Sequence, residues 1–195
     1  MGAGREKIVS NYLLRVGVGL LLATQVLLAS AHASEASLRV AFVYNFLKFI
    51  EWPDQTNPAF TLCAVNSEGD TRQALEQLDS KSLQSRAINI TYIDLPTELP
   101  ILLNSCQLLY VPASGADFQL PEPFPAGVLL VVDEADPGDE RVGISLLRTF
   151  DNRIEFVMNE PAIQHAGVKV SSQLRKLAKT PQKRDQSKKL DAYND

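Results

Sequence analysis

The side chains able to do chemistry are few and scattered along the 195 residues. Nucleophilic hydrolysis needs a base, ordinarily a histidine. Of the two histidines, His32 falls in a segment that reads as an export signal, which leaves His165. Its place beside Ala166-Gly167, at a helix end, suits a capping or surface role better than catalysis. The sequence contains no Gly-x-Ser-x-Gly turn, and neither a phosphate loop nor a Gly-x-Gly-x-x-Gly turn follows its first strand. Asp133 to Glu140 carries five acids in eight positions, but their spacing departs from the calcium-loop pattern. A solvated loop before a strand is therefore expected there. Lys81 and Arg86 flank a Ser-rich bend, and the planar donor fork of arginine makes the pair candidate ligands for an anion, with plain surface charge as the alternative. The same two readings apply to Arg148 and Arg153, on either side of a turn. No catalytic group, metal site or cofactor is expected.

Cys63 and Cys106 are the only two cysteines. In an oxidising compartment two such thiols tend to pair, and two buried free thiols are the alternative. A bond closing a loop of that length stabilises a fold by about 4 kcal/mol in the chain-entropy model. Zinc is disfavoured, because Cys-x-x-Cys spacing is absent and only His165 remains beyond the signal.

That compartment is implied by the start of the chain. Arg5, Lys7 and Arg15 precede an apolar run from Val16 to Leu28, and Ala31-His32-Ala33 has the small-x-small pattern that a signal peptidase cuts. Residues 1–33 are expected to be a cleaved signal peptide. An uncleaved anchor is the alternative, but the run is shorter than the roughly 20 apolar residues a spanning helix needs. Removing residues 1–33 takes away Arg5, Lys7, Arg15 and Glu6, leaving 16 Lys and Arg against 22 Asp and Glu. A net charge of −6 argues against a nucleic-acid partner.

The elements that must position these residues follow from periodicity. Ser34 to Glu51 reads as a helix, with Leu38, Phe42, Phe46 and Phe49 on one stripe, and most of its other faces are apolar too. Such a helix is buried by more than one neighbour or by a partner chain, which makes Tyr44, Phe46 and Trp52 candidates for a partner or dimer contact. Trp52 is otherwise a core anchor, and Trp52-Pro53 ends the helix. Phe60 to Val65, Ala87 to Ile93, Cys106 to Val111 and Gly127 to Val132 read as strands, and Gly143 to Leu147 with Arg153 to Met158 as a hairpin. Thr71 to Leu78, Glu160 to Ala166 and Ser171 to Leu177 read as helices, with a helical turn at Leu99 to Leu103. Apolar strands alternating with helices predict an α/β fold: a single-domain sandwich over 34–179, with a mixed, largely parallel sheet flanked by helices. The polar tail, 180–195, lacks apolar periodicity and is expected to be disordered.

Several of these segments resemble one known family in order. Phe42-Val43-Tyr44-Asn45-Phe46-Leu47-Lys48-Phe49-Ile50-Glu51-Trp52-Pro53 is similar to the opening motif of the YfiR/HmsC-like periplasmic proteins. Leu62-Cys63-Ala64-Val65 and Cys106-Gln107-Leu108-Leu109-Tyr110-Val111 resemble its two cysteine strands. Leu78, Lys81, Arg86 and Ile88 match a middle segment, although Ser80 and Ser85 stand where the family often has glycine. Ile154-Glu155-Phe156-Val157-Met158-Asn159 and Ala166-Gly167-Val168-Lys169-Val170-Ser171-Ser172-Gln173-Leu174 resemble its closing motifs. The resemblance implies a periplasmic regulator without catalysis. Such a protein binds the periplasmic sensor region of a membrane-bound diguanylate cyclase and holds it inactive, and it is often released through an outer-membrane lipoprotein. It also implies, together with the apolar helix, a homodimer.

Overall fold

The computed structural model describes residues 34–53, 58–79, 81–83 and 85–180. The expected signal peptide and polar tail lie outside the described residues, apart from Thr180. Helix α1, Glu35–Phe49, opens on Ser34, whose side chain accepts a hydrogen bond from the Ser37 amide, with Glu35 in its first turn and Lys48 in its last. Both charges complement the helix dipole. Strand β1, Ile50–Glu51, follows directly, and β2 is Ala59–Val65. Then come α2, Gly69–Glu76, and the short β3, Ser82–Leu83, which turns back into β4, Arg86–Ile93. Helix α3, Leu99–Leu102, tightens into a 3-10 turn over Leu103–Ser105. The remaining strands of the main sheet are β5, Leu108–Val111, β6, Leu129–Asp133, β7, Ile144–Arg148, and β8, Ile154–Met158. Helix α4, Glu160–His165, strand β9, Lys169–Val170, and helix α5, Ser172–Leu177, complete the chain.

Seven strands form one sheet in the order β3-β4-β2-β5-β6-β7-β8. The five from β4 to β7 run parallel, and β3 and β8 add antiparallel edges. This is the mixed, largely parallel α/β sheet that the sequence predicts. A separate two-stranded pair, β1 with β9, joins the end of α1 to the segment before α5 and was not legible in so short a pattern.

Because successive strand residues face opposite ways, the central strands β4, β2, β5 and β6 feed two cores. Leu62, Ala64, Leu108, Tyr110, Leu129, Val131 and Phe156 face α1 together with Val40, Val43, Phe46 and Leu47. Cys63, Val65, Leu109, Val111 and Leu130 face the other way, onto Leu99, Leu103, Phe124 and Val142.

The buried face of α1 differs from the stripe expected of it. Phe46 is fully buried, but Leu38 and Phe49 are 42% and 39% exposed, and the charged Arg39 is buried instead. Two contacts set this rotation. Phe46 meets Phe156 edge-on with ring centroids 5.1 Å apart, and Arg39 meets the acids at the end of β6.

Candidate functional site

Arg39 has five donors in a rigid fork, and inside a protein each must find an acceptor. Its Nε and Nη2 donate to Glu35 Oε1 at 3.0 and 2.8 Å, and Nη2 also donates to Glu134 Oε1 at 2.5 Å. Nη1 donates to the Leu146 carbonyl at 3.3 Å and lies 3.4 Å from Asp133 Oδ1. Asp133 ends β6 and is buried. Its Oδ2 accepts from the Tyr110 hydroxyl at 2.9 Å and from the Ala113 amide at 3.2 Å, whereas Oδ1 accepts no hydrogen bond. Glu134, the next residue, adopts φ +54, a left-handed conformation that side chains other than glycine seldom take. That turn lets one carboxylate serve both Arg39 and the Arg148 amide, the latter at 2.8 Å. Arg148 closes the ring through Nη1, 3.0 Å from Glu35 Oε2.

Burial pushes the Asp133 carboxyl above its ordinary range, and the Arg39 charge and the Tyr110 hydroxyl oppose the shift. The Tyr110 hydroxyl is pushed up, first by burial and then by the neighbouring carboxylate. Burial alone would lower the Arg39 pKa, but its hydrogen bonds to Glu134 and Glu35 outweigh that, so the guanidinium holds its proton more firmly than usual. The arrangement is a lock between α1 and the ends of β6 and β7. It also corrects the reading of Asp133 to Glu140 as a solvated loop at its first residue: Asp133 is buried in β6 and, with Glu134, serves a buried arginine, whereas 134–140 form the exposed or half-exposed loop expected. The missing signal was Arg39 itself, a cation amid the apolar residues of α1.

In the parallel sheet, β2 has β4 on one side and β5 on the other, so the strand order reverses between β2 and β5, where open α/β sheets tend to place ligands. Here that crevice is filled. Asn66 Nδ2 donates to the Ser114 carbonyl and Ser114 Oγ to the Asn66 carbonyl, both at 2.7 Å. A Cβ on Gly115 would come within 3.0 Å of the Val65 carbonyl oxygen. Ser67, on the same loop, is fully buried with its hydroxyl unpartnered.

Cys63 and Cys106 are joined, with Cα atoms 5.7 Å apart. Lys81 and Arg86 are directed to different aromatic rings: Lys81 Nζ lies 4.7 Å from the Tyr44 centroid, and Arg86 lies 6.0 Å from that of Phe60. Arg86 Nη2 also donates to the Ala59 carbonyl at 2.9 Å. Ser85, between them, stands at φ +72, so the backbone keeps a glycine-like conformation where the resemblance expects glycine.

Of the three aromatic contact candidates, Phe46 is fully buried and Trp52 is 5% exposed, its ring edge-on to Phe60 at 4.8 Å. Both are packed into this chain's own core. Tyr44 is half-buried under Lys48 and Lys81. The Trp52 indole N–H is buried and unpartnered, and Trp52, Asn104, Gln107 and Gly127 help line a cavity of about 210 Å³. His165 Nε2 lies 2.9 Å from the Phe124 carbonyl oxygen, a fastening between α4 and the loop before β6. Among the described residues no three His, Cys, Asp or Glu side chains gather as a metal site, and no helix is long and apolar enough to cross a membrane.

No curated protein matches the chain. A family model described as YfiR/HmsC-like matches residues 36–179, from the first turn of α1 to just past α5. The chain belongs to the YfiR/HmsC-like family.

Proposed function

We propose that this chain is an exported regulator acting by contact: it binds the periplasmic sensor region of a membrane-bound diguanylate cyclase, holds it inactive, and so lowers cyclic di-GMP and biofilm formation. The family match over residues 36–179 carries the reading. The side chains support it, because the charged groups at the strand ends are committed to Arg39 and His165 is committed to a backbone carbonyl. A repressor needs no catalytic group. It needs only higher affinity for the inactive state of its target, and a few kcal/mol shifts the populations a hundredfold or more. In this reading residues 1–33 are removed on export, the mature chain is a homodimer, an outer-membrane lipoprotein releases it, and catalysis has no part. Deleting the gene in a strain with an intact partner cyclase should raise cyclic di-GMP, and unchanged nucleotide and biofilm levels would sink the reading.

A second reading, a small-ligand receptor, is favoured by one observation: the unpartnered Trp52 indole beside the cavity. An acceptor-bearing metabolite there, or an anion at Lys81 and Arg86, would bias the repressor rather than replace it. A thermal-shift screen at saturating metabolite concentrations tests it, and no stabilisation by any compound counts against it.

A further inference from the structure

The crevice at the carboxyl ends of the strands is sealed, whereas the opposite end of the sheet holds a cavity of about 210 Å³. Gln107 and Val128, just before β5 and β6, wall it together with Trp52, just after β1. Two of these side chains bring hydrogen-bond donors to the wall. The Trp52 indole N–H is buried and meets no acceptor in the chain. Its ring is packed edge-on to Phe60, so the indole reaches another acceptor only by leaving the core. Gln107 is fixed at three points. Its amide donates to the Thr61 carbonyl at 3.0 Å, its carbonyl accepts from the Leu129 amide at 3.0 Å, and its Oε1 accepts from the Thr61 amide at 2.6 Å. A backbone N–H can bond only the oxygen of a carboxamide, so the NH2 end is what Gln107 has left to offer.

These walls select a ligand. Donors held in place call for an oxygen acceptor, and none of the lining residues carries a charge. An ionised ligand would be buried without a counter-ion, which costs far more than burying a carbonyl that is hydrogen-bonded. Pro53, Ala126 and Val128 supply an apolar surface. An apolar cavity of about 150 Å³ admits benzene, so this one has room for a single ring with a short substituent. Ordered water suits it less well, because each molecule needs roughly two to four polar partners and these three side chains supply none.

We propose that this cavity binds a small uncharged compound with one ring and a carbonyl oxygen. The oxygen accepts from the Trp52 indole and the Gln107 carboxamide, and Pro53, Ala126 and Val128 cover the ring. This rests on the small-ligand reading above and supplies its site and ligand class. Lys81 and Arg86 do not line the cavity, so an anion held by them is a separate matter.

Trp52 is the only tryptophan, so tryptophan fluorescence reports on this wall alone. The probes are benzamide, which is neutral and bears a carbonyl oxygen, benzoate, its charged counterpart, and benzene, the ring without an acceptor. Benzamide should change Trp52 emission saturably and raise the melting temperature of the purified protein. Benzoate and benzene should bind at least about tenfold more weakly, the factor that one net hydrogen bond supplies. Trp52→Phe keeps a packed ring without the N–H and should weaken benzamide by a similar factor. Ala126→Leu, at an exposed lining position, should abolish the benzamide response while melting at the wild-type temperature without probe. If the wild-type chain responds to no compound in a thermal-shift screen, the small-ligand reading falls and takes this site with it. A benzamide response undiminished in Ala126→Leu, or stabilisation only by compounds that leave Trp52 emission unchanged, overturns this site and leaves that reading standing. Benzene binding as tightly as benzamide would overturn the carbonyl class, and benzoate binding more tightly would overturn it in favour of an anion.

Discussion

Arg39 is the side chain whose loss should be felt most. It is buried among Glu35, Asp133 and Glu134, and removing it leaves the Asp133 carboxylate buried without its cation. Arg39→Ala should cost about 3–5 kcal/mol in urea denaturation, the range for breaking a buried ion pair. Adding Asp133→Asn should recover part of that loss, and strictly additive effects would show that the two do not act together. Two acids between the end of β6 and the start of β7 make opposite pH predictions. Burial raises the Asp133 pKa, so between its ordinary 3.8 and the raised native value the folded chain binds more protons than the unfolded one. Stability contributed by this group therefore declines as pH rises through that window, and Asp133→Asn should flatten the decline. Asp139 is held low by its hydrogen bonds with Arg141, so its contribution is present above the ordinary carboxylate value and lost as pH falls through the lowered one. Stability measured between pH 3 and 7 for wild type, Asp133→Asn and Asp139→Asn would separate the two signs. Ser85, at φ +72, bears a left-handed conformation that glycine adopts without penalty. Ser85→Gly should raise stability by about 1 kcal/mol, read as a higher melting temperature.

The disulfide belongs to the scale of elements, because it acts where they are thinnest. On the α1 side the sheet is covered by helices, whereas the opposite core is closed by the short α3, its 3-10 turn and the loops around Phe124. Cys63 in β2 and Cys106 before β5 sit in that second core. Replacing both with alanine removes a loop constraint spanning 43 residues and should cost about 4 kcal/mol by chain entropy. Alkylation mass spectrometry on the native protein should recover the two linked, and two freely alkylated thiols would refute the bond. Strand identities were legible at this scale because apolar runs such as Leu129 to Val132 are long enough to show. The buried face of α1 was not. Its apolar residues leave several rotations equally good, and the choice is made by Arg39 finding Asp133 and Phe46 finding Phe156, partners more than ninety residues away.

At the scale of the molecule, the sheet has the topology of a ligand-binding α/β fold, but its reversal point is sealed by Asn66, Ser114 and Gly115. Expression in a Gram-negative host should place the mature protein in the periplasm with Ser34 at its N-terminus, read by intact-mass measurement, and light scattering should return twice the monomer mass. A chain retaining residues 1–33 would refute the first expectation, and a monomer the second. The sequence by itself determined the class of fold, the order of the longer strands and helices and the family, and it favoured the cysteine pair, because these depend on local periodicity and on motifs a few residues long. Tertiary structure alone decided which face of α1 is buried, that Asp133 and Glu134 serve Arg39, and that Trp52 is covered. The physical reason is that burial and charge pairing are properties of contacts between distant segments, and no local pattern specifies which segment a side chain will meet.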